Sequence, residues 1–200
     1  MKIVLIGSSG TIGRAVSQAL AARHQIIAVR HQTGPHRVDL ADPASIQRLL
    51  AEIGPFDAVV CAAGLAAFGP LEKLTDADFR RCLENKLMGQ VHVARAAIST
   101  LADHGSITLT SGVLGRFPTP GSSAAAMVNG ALESFVRAAA LEMPRSLRIN
   151  AVSPGWVLET LHAYGMDPAG GIPAAEVARA YVESVEGTAS GAILETPVVR

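Results

Sequence analysis

"VLIGSSGTIGR", residues 4–14, is the stretch from which the fold can be read. An apolar, β-branched run stops at Gly7, glycines recur at Gly10 and Gly13, and a helical pattern follows without a spacer. A glycine-rich turn between a strand and a helix lets backbone amides approach a pyrophosphate closely, and the first turn of the helix offers that anion a partial positive charge. Gly7 takes the tight-turn position, Gly10 the close-approach position and Gly13 the position where helix meets strand. Ser9, Thr11 and Ile12 lie between them on the same phosphate-binding loop. A tight strand-to-helix turn would account for a lone glycine triplet. Here strand, turn and helix agree, and the expectation is a first βαβ unit that binds a nucleotide.

Outward from that unit, short apolar runs alternate with longer helical stretches, with no internal repeat and no low-complexity linker. The strand candidates are Lys2–Ile6, Gln25–Arg30, Arg37–Asp39, Phe56–Cys61, Ser106–Thr110, Arg148–Val152 and Ala192–Glu195. Most are continuous apolar runs, as strands covered on both faces are. The helix candidates are Ile12–Ala22, Pro43–Ile53, Asp76–Leu101, Ser122–Met143 and Pro173–Ser184. Asp42 before Pro43 reads as an N-cap, Thr75 with Asp78 as a capping box, and Pro144 as a helix stop. The alternation predicts a doubly wound α/β Rossmann fold, a parallel sheet of about seven strands with helices on both faces, as one domain over residues 1–200.

Composition narrows the function classes. The chain has 17 basic and 17 acidic residues, so nothing in its charge favours nucleic acid or a membrane surface as partner. Cys61 and Cys82 are neither spaced as metal ligands nor numerous enough for a disulfide framework, which suits a reducing compartment, and no metal is expected. The short apolar run in "MKIVLIG" reads as a first strand of a cytoplasmic protein rather than as a signal segment.

The second strand ends in "IIAVRHQT", residues 26–33. An acidic residue there would grip the ribose 2′-hydroxyl of NAD. Arg30 followed by His31 suits the 2′-phosphate of NADP instead, and NADP(H) is the expected cofactor. Arg14 either shares that phosphate or faces solvent.

Five further stretches, "RVDLAD" (37–42), "CAAG" (61–64), "ENKLMGQVHVARAA" (84–97), "GSITLTSG" (105–112) and "RINAVSPGWV" (148–157), stand in the order and spacing of the short-chain dehydrogenase/reductase family. The resemblance covers Lys2–Val157 and thins from Leu158 onward. It implies that Asp39 and Leu40 border the adenine, that Cys61, Ala62, Ala63 and Gly64 stand for the cofactor-wall motif, and that Pro154, Gly155 and Val157 flank the nicotinamide. It further implies that Asn85 is the asparagine of the active-site helix and Ser111 the serine that hydrogen-bonds the substrate oxygen. Helices such as Asp76–Leu101 and Ser122–Met143 resemble those through which the family forms homodimers and homotetramers.

The same resemblance requires a tyrosine and, four residues later, a lysine on the helix beginning near Ser122. "SSAAAMVNGALESF", residues 122–135, puts Ala125 and Asn129 at those positions. Hydride addition to a carbonyl leaves an alkoxide, which a phenol beside an ammonium protonates; losing a general acid forfeits about 10²- to 10⁴-fold in rate. Asn129 is left to hold the nicotinamide ribose. The glycine motif also departs from the family's usual spacing, with Thr11 at the customary glycine site. The loop at 158–171 carries Glu159, His162 and Tyr164, each either a surface residue or a substitute acid. Lys86, adjacent to Asn85 on a helix with about 100° between neighbours, is expected to point away from the cleft. Two readings stay open: an atypical NADP(H)-dependent oxidoreductase acting on a small organic substrate such as an iminium or a conjugated enone, and a catalytically silent cofactor-binding sensor or partner-binding protein.

Overall fold

Alternate residues of the first strand, β1 (Lys2–Ile6), enter two different cores: Ile3 and Leu5 pack on one face of the sheet, Val4 and Ile6 on the other. Only a strand buried on both faces can be apolar throughout, and that is the reason the run lacks polar alternation. The computed structural model describes residues 1–196. The other strands are β2 (Gln25–Arg30), β3 (His36–Arg37), β4 (Phe56–Cys61), β5 (Leu101–Thr110), β6 (Arg148–Ser153) and β7 (Ile193–Glu195). They form one sheet of order β3-β2-β1-β4-β5-β6-β7, every neighbouring pair parallel. The order reverses direction between β1 and β4, which opens a crevice at the carboxyl ends of the strands.

One face is covered by α1 (Thr11–Ala21), through Val16 and Leu20, and by α7 (Ala174–Glu186), through Val177, Ala178, Tyr181 and Val185. The other carries α2 (Pro43–Ile53), α4 (Gly89–Ala97) and α5 (Ser123–Ala139), whose Ile46, Leu49, Val93, Leu132 and Val136 meet Val59, Ile107 and Ile149. The expected caps form: Asp42 accepts from the Ala44 amide, and Thr75 and Asp78 cap each other's amides at α3 (Asp76–Arg81).

Several boundaries differ from the sequence expectation: the third strand, expected at Arg37–Asp39, is His36–Arg37, the fifth begins at Leu101 rather than Ser106, and α7 and β7 shift by one or two residues. The stretch expected as one helix from Asp76 to Leu101 is α3, a wider π-helical segment Cys82–Met88, and α4, and Leu101 already belongs to β5. α5 ends at Ala139, ahead of Pro144, and the chain tightens there into turns, the Leu141 and Glu142 amides donating to the Ala138 and Ala139 carbonyls. The stretch from Leu158, expected as a loop, begins with a short helix, α6 (Leu158–Ala163), pinned by the buried Leu161. Among the described residues no helix is long and apolar enough to cross a membrane.

Candidate active site

The glycine turn is held closed chiefly by backbone, with the Ser8 hydroxyl adding a 3.1 Å bond to the Val29 carbonyl. The Gly7 and Ser8 amides both donate to the Val29 carbonyl, at 3.1 and 3.2 Å, and the Gly10 amide donates to the Gly7 carbonyl at 3.0 Å. Gly7 has a φ of 85°, and a Cβ there would stand 2.7 Å from the Ala62 carbonyl oxygen. A Cβ at Gly13 would overlap the Gly7 carbonyl oxygen, so α1 rides directly on the turn. The amides of Thr11, Ile12 and Gly13 open that helix and have no partner one turn earlier, which leaves them for an anion. Arg14, exposed to solvent, donates from Nη1 to the Ser9 carbonyl of the turn at 2.8 Å. Arg30 and His31 are exposed at the end of β2, and Arg30 forms no ion pair among the described residues.

Next to the turn, at the carboxyl ends of β1, β4, β5 and β6, lies a cleft of about 660 Å³. Ile12, Ala62, Ala63 and Gly64, Thr110 to Leu114, and Pro154 to Val157 form its floor and walls, with Ala125 and Asn129 from α5. Of the wall residues expected from the sequence, Ala62, Ala63, Gly64, Pro154, Gly155 and Val157 are therefore brought together. Asp39 and Leu40 lie outside this cleft, beyond β3, Leu40 buried against Gly89. The mouth is apolar and aromatic: Phe68 and Trp156 face each other with ring centroids 6.2 Å apart, and Tyr164 and Met166 complete it.

Lys86 lines the cleft, contrary to expectation, whereas Asn85 does not. The cause is the π-helical segment, which widens the helix and rotates the side chains at its end relative to α-helical spacing. Asn85 instead accepts the Leu65 amide at Oδ1, 2.9 Å away, and sits beside Ala41, Arg81 and Glu84. The Lys86 stem runs over Gly64, where a Cβ would stand 2.9 Å from its Cγ, and the residue is buried. Its Nζ donates to the carbonyls of Thr110 and Ser111 at 3.1 and 3.2 Å. Burial pulls its pKa down to about 8, the attraction of nearby Cys61 opposing this weakly.

The end of β5 is fixed by a second polar set. Thr110 lies past the last register pair with β4, and Gln90 takes the place of a strand there: Oε1 accepts the Thr110 amide at 2.7 Å and Nε2 donates to the Thr110 carbonyl at 2.9 Å. On the opposite face the Thr110 hydroxyl donates to the Cys61 carbonyl at 2.6 Å and accepts from Tyr181 Oη at 2.7 Å. Burial raises the Tyr181 phenol above its ordinary value, so it stays protonated and structural.

Ser111 borders the cleft, yet its hydroxyl lies 3.2 Å from Glu133 Oε1 and 3.3 Å from the Val152 carbonyl. Glu133 is buried and paired with Arg116 Nε at 3.1 Å and Arg137 at 3.3 Å, and Arg116 also reaches Glu195. A buried carboxylate needs such partners. It holds the Ser111 hydroxyl inward, which corrects the expectation that this serine meets a substrate oxygen. Gly112 stands beside Asn129 instead: a Cβ there would lie 2.8 Å from Asn129 Nδ2. Asn129 is 4% exposed, its Oδ1 is buried without a partner, and no hydrogen bond of the described residues uses its amide. α5 itself contains neither tyrosine nor lysine.

Of the loop candidates, Glu159 accepts the Ala174 amide with both carboxylate oxygens and so caps α7; His162 is exposed and outside the cleft; Tyr164 lines it while 77% exposed. The residues that sequence reasoning missed are Lys86, Gln90, Gly112 and Glu133. Lys86 and Gln90 are polar at i and i+4 in a stretch packed against the sheet, which was the available signal.

A family model described as enoyl-(acyl carrier protein) reductase matches residues 9–188. The protein lin1944 of Listeria innocua, known by crystal structure, is 38% identical, with 98% of each chain covered and a TM-score of 0.93. A small-chain dehydrogenase crystallised in complex with NADPH is 25% identical over 98% of this chain and 96% of its own, with a TM-score of 0.86. An uncharacterised oxidoreductase of Methylorubrum extorquens is 27% identical over 188 residues, 82% of this chain and 76% of its own.

Proposed function

The chain belongs to the short-chain dehydrogenase/reductase family, and on that premise we propose that it is an NADP(H)-dependent oxidoreductase acting on a small organic substrate, with proton donation that does not come from a tyrosine–lysine pair. The observation that carries this is the continuity of the glycine turn with the cleft: a closed backbone cradle at one end and a formed, apolar, substrate-sized space at the other.

The residues present fit the cofactor. The Thr11, Ile12 and Gly13 amides face a pyrophosphate, and a side chain at Gly7 or Gly13 would fill the cradle. Arg30 with His31 meets the 2′-phosphate, Arg14 stiffens the turn through Ser9, and Asp39 and Leu40 border the adenine. Ala62, Ala63 and Gly64 wall the ribose, Pro154, Gly155 and Val157 flank the nicotinamide, and Asn129 offers its free amide to the ribose or the substrate. The NADPH complex of the 25%-identical dehydrogenase supports this choice. When bound, the reduced cofactor supplies a hydride. The apolar mouth at Phe68 and Trp156 takes an uncharged organic substrate and limits water. The reading includes one nucleotide-binding domain, a cytoplasmic location and a symmetric homo-oligomer.

The test is a fluorescence titration with NADPH followed by turnover assays on a panel of diketones, conjugated enones and cyclic imines. Saturable NADPH binding with oxidation dependent on one acceptor class is expected. Binding with no turnover on any acceptor would leave a silent cofactor-binding protein; no binding would overturn the cofactor assignment as well.

A further inference from the structure

We propose that Lys86 and Asn129 together form an oxyanion-binding pair in the cleft, and that the ligand it takes is an apolar, conjugated or aromatic molecule with one oxygen that carries negative charge. The inference rests on the oxidoreductase reading only for its chemistry, since the pair is defined by geometry. Lys86 is the only cationic side chain among the described residues that line the cleft. Of the three N–H bonds on its ammonium, two are taken by the Thr110 and Ser111 carbonyls, and the third has no acceptor among the described residues. Asn129, which lines the cleft, flanks the next residue, Gly112, with its Nδ2, a donor that no hydrogen bond of the described residues uses. Both groups therefore converge on the chain that leaves β5, one from the π-helical segment and one from α5.

Polar groups in a folded protein find partners, and an unused amide donor beside a partly unpaired ammonium in a formed cleft fits a ligand that accepts from them. The Lys86 ammonium and the Asn129 Nδ2 are both donors, and an oxygen with negative charge accepts from both. Apart from Thr110, Ser111, Thr160 and Tyr164, the remaining side chains of the walls are Ala, Val, Leu, Ile, Met, Pro, Phe and Trp, so the body of the ligand is mostly apolar.

The pair fits the proposed reaction. Hydride addition to the carbonyl carbon, or to the far carbon of a conjugated enone, breaks a π bond and places its electron pair on oxygen. The Lys86 ammonium faces that charge and transfers one proton to it; the neutral amine then regains a proton from solvent. With its pKa held near 8, Lys86 is charged at neutral pH and is a stronger acid than a lysine in water.

The experiment uses the NADP⁺-saturated full chain and 4-nitrophenol, whose anion alone is yellow. Titration across pH by absorbance gives the apparent pKa of the bound probe. The wild type should favour the phenolate at least about tenfold, lowering that pKa by about one unit or more. Lys86→Met should abolish or reverse the preference, and Asn129→Ala should weaken it. Lys86→Gln, which keeps donors for the Thr110 and Ser111 carbonyls without the charge, should match Lys86→Met and serves if that variant does not fold. No binding by the wild type, equal affinity for phenol and phenolate, or an unchanged preference in Lys86→Gln would each overturn the proposal. Phenolate preference without turnover on any acceptor would keep the oxyanion site and reject the oxidoreductase reading; turnover in wild type without phenolate preference would do the reverse.

Discussion

Alanine at Gly10 and alanine at Gly13 separate two roles of the glycine turn. At Gly13 a Cβ would overlap the Gly7 carbonyl oxygen and stand 2.8 Å from its carbon and 3.0 Å from Ser8 Cα. All three are backbone atoms at the end of β1, so α1 must retreat by well over an ångström to restore a contact of about 3.5–4.0 Å with that oxygen. Overpacking of that kind costs about 1–3 kcal/mol. For a chain of 200 residues each kcal/mol moves Tm by about 2–4 °C, so Gly13→Ala should lower Tm by roughly 2–12 °C. NADPH affinity should fall too, because the α1 amides withdraw with the helix. Gly10 differs. Its φ of −71° and ψ of 169° suit any residue, and the nearest atom to a Cβ is the Gly7 oxygen at 3.4 Å. Gly10→Ala should leave stability within about 0.5 kcal/mol of wild type. A methyl group on the open side of the turn should nevertheless weaken NADPH by at least about tenfold, or 1.4 kcal/mol. Scanning calorimetry and fluorescence titration read the two effects separately. A Gly10→Ala protein that binds NADPH as tightly as wild type would refute the placement of the pyrophosphate on this turn.

Arg30→Ala should erase most of an NADPH-over-NADH preference of at least about tenfold, and paired titrations of wild type and variant check it; equal affinities in the wild type would reject the assignment. Lys86 has a folded-state pKa of about 8 against about 10.4 in an unfolded chain, so the folded form binds fewer protons between those values. Its charge burial therefore penalises stability fully below pH 8, and the penalty fades as pH rises from about 8 toward 10.4. Urea unfolding should show wild type gaining on Lys86→Met across that window, and parallel pH profiles would contradict the burial of this ammonium. Light scattering at micromolar concentration should show a homodimer or homotetramer, and a monomer alone would count against assembly through α4 and α5.

Local pattern determined much of this protein. The doubly apolar strands, the glycine turn and the Asp42 and Thr75 caps are short-range features that follow from composition and spacing, and the wall residues at 62–64, 154, 155 and 157 were legible only through the family resemblance. The site's polar groups were decided otherwise. One widened turn of helix at Cys82–Met88 exchanges Asn85 for Lys86 at the cleft, and a preference of that size is invisible in a sequence read at 3.6 residues per turn. Ser111 is turned inward by Glu133, which lies 22 residues later, and Glu159 is drawn to Ala174, 15 residues away, as a helix cap. Such partners meet only when the sheet order and helix packing bring their elements together. A side chain's hydrogen-bonding state depends on those neighbours, so tertiary structure alone assigned the chemistry of the cleft.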